Sequence, residues 1–332
     1  MDILVGGASG SVSGELCRRL DRPGIRVTRL SRRSGQVAWT IGAEPPPAVL
    51  RRHWDVIVNS VADTRWGLSP QQAFAANVTT TSELLSLAGP GTHVIQLSTF
   101  GVEGRDEVAE PEEPEDFHNT YEWSKARAER VVRENHPRAD IVRLPVITGR
   151  RSDGHMDRFG GFFSVLRGLC SGAIPALVGD PGAYLDFAST DDTAAMIDDL
   201  ITAGPPPSTR LSILGGGPAA LRLGAAMEAA VRGVNEWRTA IGIPALEIPP
   251  YIPPGTWDRF YLPFARQHLS PGQLATVESY AMFRPYFRRS HTLAVTHRVP
   301  DPTESIVKSF HGWAAQHPAA ARRIPRPWSL IG

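Results

Sequence analysis

The chain alternates short apolar runs with longer stretches of helical periodicity. Apolar runs bounded by glycine, proline or charged turns fall near residues 2–6, 25–30, 36–40, 55–60, 92–98 and 139–144, and these are predicted strands. Between them, apolar positions recur at helical spacing near 11–21, 46–52, 70–88 and 120–135, which predicts helices. In the first of these, Val12, Leu16, Cys17 and Leu20 stand at helical spacing, with Cys17 on the inward face. Alternation of this kind predicts an α/β fold built on a doubly wound parallel sheet. There is no internal repeat. The alternation fades toward the carboxy terminus. Residues 249–289 instead hold Tyr251, Trp257, Phe260, Tyr261, Phe264, Tyr280, Phe283, Tyr286 and Phe287 among several prolines.

The first predicted strand, Asp2-Ile3-Leu4-Val5, runs into Gly6-Gly7-Ala8-Ser9-Gly10-Ser11-Val12-Ser13-Gly14 and then into the first predicted helix. Strand, glycine turn and helix is the context of a dinucleotide fingerprint. Gly7 and Gly10 allow the backbone close to a pyrophosphate, and the helix start offers free N–H groups and a favourable dipole. Gly7, Ser9, Gly10, Ser11 and Val12 are therefore candidate cofactor contacts. At the end of the second strand an NAD site places a carboxylate for the ribose 2′-hydroxyl. Here the chain reads Ser31-Arg32-Arg33. Two guanidinium groups and a hydroxyl suit a 2′-phosphate instead, so NADP is expected over NAD.

Only two residues are lysines, Lys125 and Lys308, in a chain with 35 Lys and Arg together. One of them ends Tyr121-Glu122-Trp123-Ser124-Lys125. That spacing sets both side chains on one helical face. An ammonium near a phenol favours the phenolate and lowers a pKa that starts near ~10, making Tyr121 a proton donor or acceptor.

Gly7-x-x-Gly10 and Tyr121-x-x-x-Lys125 together resemble the short-chain dehydrogenase/reductase family in its extended branch, within the NAD-dependent epimerase/dehydratase superfamily. Asp55 to Ala62 resembles that branch's fourth strand, which implies that Ser60, Val61 and Ala62 lie beside the cofactor. Asn77-Val78-Thr79-Thr80-Thr81 is similar to the helix start that follows, with Asn77 in the cofactor site. Val94 to Thr99 resembles the fifth strand, which implies that Thr99, or less directly Ser98, supplies a catalytic hydroxyl. Arg143-Leu144-Pro145 through Gly149 resembles the loop after the sixth strand, with Leu144 and Pro145 implied in the cofactor site, and Leu185 to Asp192 resembles a segment that anchors the substrate lobe. Lys125 is implied to bind the nicotinamide ribose as well as to act on Tyr121. The threonine at 99 is similar to that of reductases of acyl thioesters and fatty aldehydes. Two departures stand out: Ser13 replaces the usual third glycine, and residues after about 235 match nothing in the family.

The resemblance implies a Rossmann-type domain at 1–150 and 181–235, with a smaller, mostly C-terminal substrate-binding lobe at 151–180 and 236–332. The carboxy-terminal part is expected to pack as a lid over the nicotinamide and to line it with apolar groups.

Composition narrows the rest. A chain of 332 residues that is 42% hydrophobic can bury one large core or two lobes. A net charge of +1 gives no reason to expect nucleic acid or an anionic membrane as partner. No apolar stretch approaches a membrane span, and no signal peptide is recognised before the first strand. Two cysteines, Cys17 and Cys170, fit a reducing cytoplasm. The ten histidines lack metal-ligand spacing, so no metal is expected. Seven carboxylates between Asp106 and Asp116 form a solvated loop just before Tyr121. The expected function is NADPH-dependent reduction of a ketone, aldehyde or acyl thioester of a hydrophobic small metabolite, with Tyr121 as general acid, in a monomer or homodimer. The alternatives are a nucleotide-sugar epimerase or dehydratase with retained NAD, and a non-catalytic NADP-binding sensor.

Overall fold

A computed structural model describes residues 1–32, 36–105 and 107–325. The chain divides into two compact units. Unit 1 holds residues 1–145, 190–214 and 295–297, and unit 2 holds 146–189, 215–294 and 298–332.

Unit 1 is built on the main sheet. Its strands are β1 (Asp2–Gly6), β2 (Arg26–Ser31), β3 (Val37–Ala38), β4 (Val56–Asn59), β5 (His93–Thr99), β6 (Asp140–Leu144), β7 (Arg210–Gly215) and β8 (His297–Arg298). They lie in the order β8-β7-β6-β5-β4-β1-β2-β3, and β1 pairs in parallel with both β2 and β4. The order therefore reverses beside β1, the place where doubly wound sheets bind ligands. The apolar runs read from the sequence form these strands because parallel strands are covered on both faces. Leu4, Ile57, Val94 and Ile141 each have 1% exposure or less and share a core with Leu30, Trp39, Leu50, Trp54, Leu84 and Val132.

The helices of unit 1 are α1 (Ser11–Arg19), α2 (Pro70–Phe74), α3 (Thr80–Leu85), α4 (Thr120–Asn135) and α5 (Thr190–Ala203). α1 packs on α5, and Asp198 of α5 accepts from Arg19 at 3.0 Å and from Arg22 at 2.7 Å. α4 packs on β5, α2 and α3.

Two predicted helices differ from the expectation. Residues 46–52 form only a short 3₁₀ turn at Ala48–Leu50. Pro45, Pro46 and Pro47 precede it and bring no N–H groups to an α-helical ladder. The helix expected over 70–88 is interrupted by a π-helical turn at Ala75–Thr79, a widening often found at functional sites. It carries Asn77.

Beneath α4 lies a buried ion pair. Glu129 is fully buried and takes Arg143 of β6 in two parallel bonds, at 3.0 and 3.1 Å. Arg133 reaches the same carboxylate at 3.0 Å.

Unit 2 is mostly helical. Helices Leu223–Ala240 and Thr303–Gln316 pack together, and they approach so closely that a Cβ on Gly233 would lie 2.1 Å from the Val307 carbonyl oxygen. Phe162, Phe187 and Phe310 meet edge to face in the same unit. Much of the aromatic run at 249–289 is core there. Trp257, Tyr280 and Phe287 have 2% exposure or less, and the Tyr280 hydroxyl accepts from Val178 N at 2.7 Å. Phe260 is 65% exposed. Residues 181–189 and 215–235, expected with the nucleotide domain, cluster with unit 2, since helix Leu223–Ala240 finds its partner in Thr303–Gln316. No helix among the described residues is long and apolar enough to cross a membrane.

Candidate active site

The glycine turn sits at the carboxyl end of β1. Gly7 has φ +76°, and a Cβ there would lie 2.8 Å from Ser60 O, so only glycine fits without strain. Gly10 N donates to Gly7 O at 2.9 Å, which closes the turn. α1 then starts at Ser11 with Gly10 as its cap residue and no side-chain cap. The first-turn N–H groups of Ser11, Val12 and Ser13 point out of the helix end, as an anion site requires. Ser9 lies in the turn itself. Ser13, in place of the usual glycine, is buried, and its hydroxyl donates to Ser60 Oγ at 2.7 Å. The departure from the family pattern ties the helix to the loop after β4.

That loop is held from beneath by two buried asparagines. Asn59 Nδ2 donates to Gln96 Oε1 at 2.8 Å and to Thr81 Oγ1 at 3.1 Å, while its Oδ1 accepts from Val61 N at 3.0 Å. Asn77 Oδ1 accepts from Asp63 N at 2.7 Å, and its Nδ2 donates to Asp63 O at 3.1 Å and Ser124 Oγ at 2.8 Å. The π turn thus places Asn77 as a brace between the 60–63 loop and α4. Ser60, Val61 and Ala62 lie along the braced loop.

α4 carries Tyr121 and Lys125. Asn119 caps it, accepting from Glu122 N at 3.0 Å. Lys125 is 2% exposed, and its Nζ donates to Leu97 O of β5 at 2.7 Å. That bond sets the lysine one residue before Ser98-Thr99. Burial lowers its pKa to about 8, against the charge of Glu129, which raises it. Ser98 is 5% exposed, and its hydroxyl has no partner among the described residues. Thr99 Oγ1 accepts from Gly101 N at 3.4 Å, which leaves its proton to donate. The Tyr121 pKa is pushed up, first by burial and then by the charge of Glu122. The direction is opposite to that expected from the Tyr121–Lys125 spacing: the ammonium is turned toward Leu97 O and is not among the causes.

At the other side of the glycine turn, Ser31 is buried at the end of β2 and Arg32 is exposed. Arg32 lies near enough to help hold the Asp63 carboxyl below its usual range, after the larger effect of Arg65, which bonds it at 2.7 Å. Arg33 lies outside the described residues. Leu144 is buried at the end of β6, and Pro145 follows it.

The structure thus brings the glycine turn, the 60–63 loop, the β5 hydroxyls and the α4 pair to one edge of the sheet. Two residues went unread in the sequence. Asn59 is signalled by an amide closing the apolar run Val56-Ile57-Val58. Glu122, 1% exposed, has no such signal, because a carboxylate on a helix ordinarily faces water.

Residues 48–197 match a family model described as male sterility protein. Among curated proteins, no sequence matches the chain. The terminal R domain from the myxalamid PKS-NRPS biosynthetic pathway is similar in structure, with a TM-score of 0.68 and 19% identity over 97% of this chain and 92% of that one. A thiolation-reductase di-domain from an archaeal non-ribosomal peptide synthetase has a TM-score of 0.65 and 15% identity over 96% of this chain and 76% of that one. The Bordetella bronchiseptica enzyme WbmH, solved with NAD+, has a TM-score of 0.65 and 12% identity over 95% of this chain and 99% of that one. At these identities what is shared is the fold. The family match covers residues 48–197, and the fold shared with these structures is an α/β fold of Rossmann type. Its structural neighbours include proteins solved with NAD and with NADPH.

Proposed function

We propose that the chain is an NADPH-dependent reductase of a carbonyl in a hydrophobic small metabolite, either a ketone, an aldehyde or an acyl thioester. One observation carries the reading. α4, which also carries Tyr121, sets the buried Lys125 against the end of β5, where Ser98 has an unpartnered hydroxyl and Thr99 a free proton. The glycine turn fits a dinucleotide, since a Cβ on Gly7 would fill the approach and collide with Ser60 O. Gly7 to Val12 would hold the pyrophosphate, Ser31 and Arg32 the 2′-phosphate, and Ser60 to Ala62 the adjoining ribose and ring. A nicotinamide nucleotide bound there supplies hydride.

The remaining steps belong to the chain. Tyr121, kept protonated by burial and by Glu122, gives its proton to the carbonyl oxygen. The Thr99 hydroxyl donates a hydrogen bond to the same oxygen and fixes its direction. Lys125 spends one N–H on Leu97 O and keeps two for the nicotinamide ribose.

Support for a reductase over an epimerase comes from the absent carboxylate after β2 and from the reductase descriptions of two structural neighbours. The test is consumption of NADPH with a panel of long-chain aldehydes, aromatic ketones and acyl thioesters. Turnover of any of them supports the reading. NAD that remains bound through purification, with no turnover, supports an epimerase or dehydratase instead.

Cofactor choice gives a separate result. Arg32→Ala is expected to weaken NADP binding about 10- to 100-fold, as loss of one charge-assisted bond costs ~1.5–3 kcal/mol, and to leave NAD binding nearly unchanged. Calorimetric titration of both nucleotides decides it. Equal wild-type affinities would show that the turn after β2 does not select the phosphate.

A further inference from the structure

The apolar run of β5 is broken by one amide. Gln96 stands between Ile95 and Leu97 and is 0% exposed. A buried amide is costly unless its polar atoms are paired, and these are. Gln96 Oε1 accepts from Asn59 Nδ2 at 2.8 Å, and Gln96 Nε2 donates to Leu97 O at 2.9 Å. The first bond alone would stitch β5 to the end of β4. The second goes to the carbonyl that also takes Lys125 Nζ, at 2.7 Å.

That carbonyl is available because of where β4 stops. His93 N donates across to Asp55 O, so the backbone groups of His93, Ile95 and Leu97 face β4. β4 ends at Asn59, opposite Gln96, which leaves Leu97 O beyond its last rung. Val61 N does not continue the ladder, since it donates to Asn59 Oδ1 at 3.0 Å. The result is one buried line. Val61 N donates to Asn59, Asn59 to Gln96 and Gln96 to Leu97 O, where Lys125 arrives from α4. Both amides accept on the side of the 60–62 loop and donate on the side of the lysine, so each bond polarises the next in the same sense.

Counting fixes the end of the line. A carbonyl oxygen has two lone pairs. With Gln96 on one, Lys125 is confined to the other, and the direction of its two remaining N–H groups follows. Without the amide the ammonium has both lone pairs open to it.

We propose that Gln96 is a positioning residue: it occupies one lone pair of Leu97 O and, tied through Asn59 to the loop at 60–62, fixes where the Lys125 ammonium points. The proposal rests on the reading in which Lys125 bonds the nicotinamide ribose and the 60–62 loop lies beside the nucleotide. It adds that one buried line of amides sets both contacts. Glutamine suits the place by its chemistry. A glutamate has no N–H for Leu97 O, while methionine and leucine fill the volume and offer neither polar atom. When Gln96 is replaced, Asn59 keeps Thr81 Oγ1 at 3.1 Å and Val61 N, so the loop stays braced.

The chain has two lysines, so lysine isotope-labelled at Cε gives two methylene signals by NMR, and Lys308→Arg assigns them. In the full chain without nucleotide, the two ε protons of Lys125 are expected to have separate shifts, the mark of a side chain held one way. In Gln96→Met they are expected to draw together. Nucleotide titration gives the second measure. Gln96→Met is expected to weaken NADPH binding about tenfold, the size of one impaired bond to a charged group. Adenosine 2′,5′-bisphosphate, which lacks the nicotinamide ribose, is expected to bind as before; a loosened fold would weaken both. If Gln96→Met does not fold, Gln96→Leu takes its place with the same expected results. Averaged ε protons in the wild type, ε protons equally separate in the variant, or an equal loss of both nucleotides overturns the proposal. If the wild type binds neither nucleotide, the nucleotide reading fails and the ε protons alone decide for or against Gln96.

Discussion

Tyr121→Phe is expected to lower turnover by at least about 100-fold, within the range usual for losing a positioned general acid. The fold and nucleotide affinity should change little. The hydrogen bonds that hold this end of α4 run through Asn119, Ser124 and Lys125 and not through the phenol oxygen. The substitution therefore removes one proton and leaves the helix in place. Steady-state rates with NADPH and the best carbonyl of the panel, alongside nucleotide titration, separate the two effects. Near-normal turnover would remove Tyr121 from the mechanism.

Glu129→Ala is expected to cost the fold about 3–5 kcal/mol, the loss usual when one partner of a buried ion pair is deleted. The reason is what remains. Arg143 is 8% exposed and sits in β6 with its two bonds to Glu129 gone; Glu103 alone, at 3.3 Å and on the exposed side, then faces it. A double substitution, Glu129→Leu with Arg143→Met, leaves no buried charge and should cost less than the single one. Urea unfolding of the three chains checks the order. A single variant as stable as wild type would mean that water reaches Arg143 and replaces the carboxylate.

The central strands were legible because burial on both faces writes a parallel strand as an apolar run, as at Ile3-Leu4-Val5 and Val56-Ile57-Val58. The helix at 120–135 was legible to the residue. Where helical periodicity misled, backbone chemistry was the cause. Before 48–50 the run Pro45-Pro46-Pro47 keeps the entering backbone extended. At 75–79 the helix widens without losing its direction, and periodicity alone does not distinguish a π turn from an α turn. The allotment of 215–235 rested on resemblance, while the contact of Gly233 with Val307, far along the sequence, is invisible along the chain. At the candidate site, residue types and spacing pointed to Tyr121, Lys125 and Thr99. They did not show that Lys125 would bond a strand carbonyl or that Glu122 would turn inward. Both depend on which way a side chain leaves a helix, and that is decided by neighbours from β5 and the turn after it.

The burial of Lys125 makes folding itself a proton-releasing event. A lysine in the unfolded chain titrates near 10.5, and in the folded chain this one titrates near 8. The folded pKa lies below the unfolded one, so between these values the unfolded chain binds the extra proton. Stability contributed by this residue therefore rises with pH across that window. Below about pH 8 the full penalty is present, on the order of 3 kcal/mol. A solvated lysine such as one on the outer face of α4 would leave stability flat over the same range. At neutral pH the chain thus holds its one interior ammonium against the preference of the fold, and a ligand group that accepts from Nζ would bind more tightly to the protonated form, so that proton uptake on binding would show at and above about pH 8.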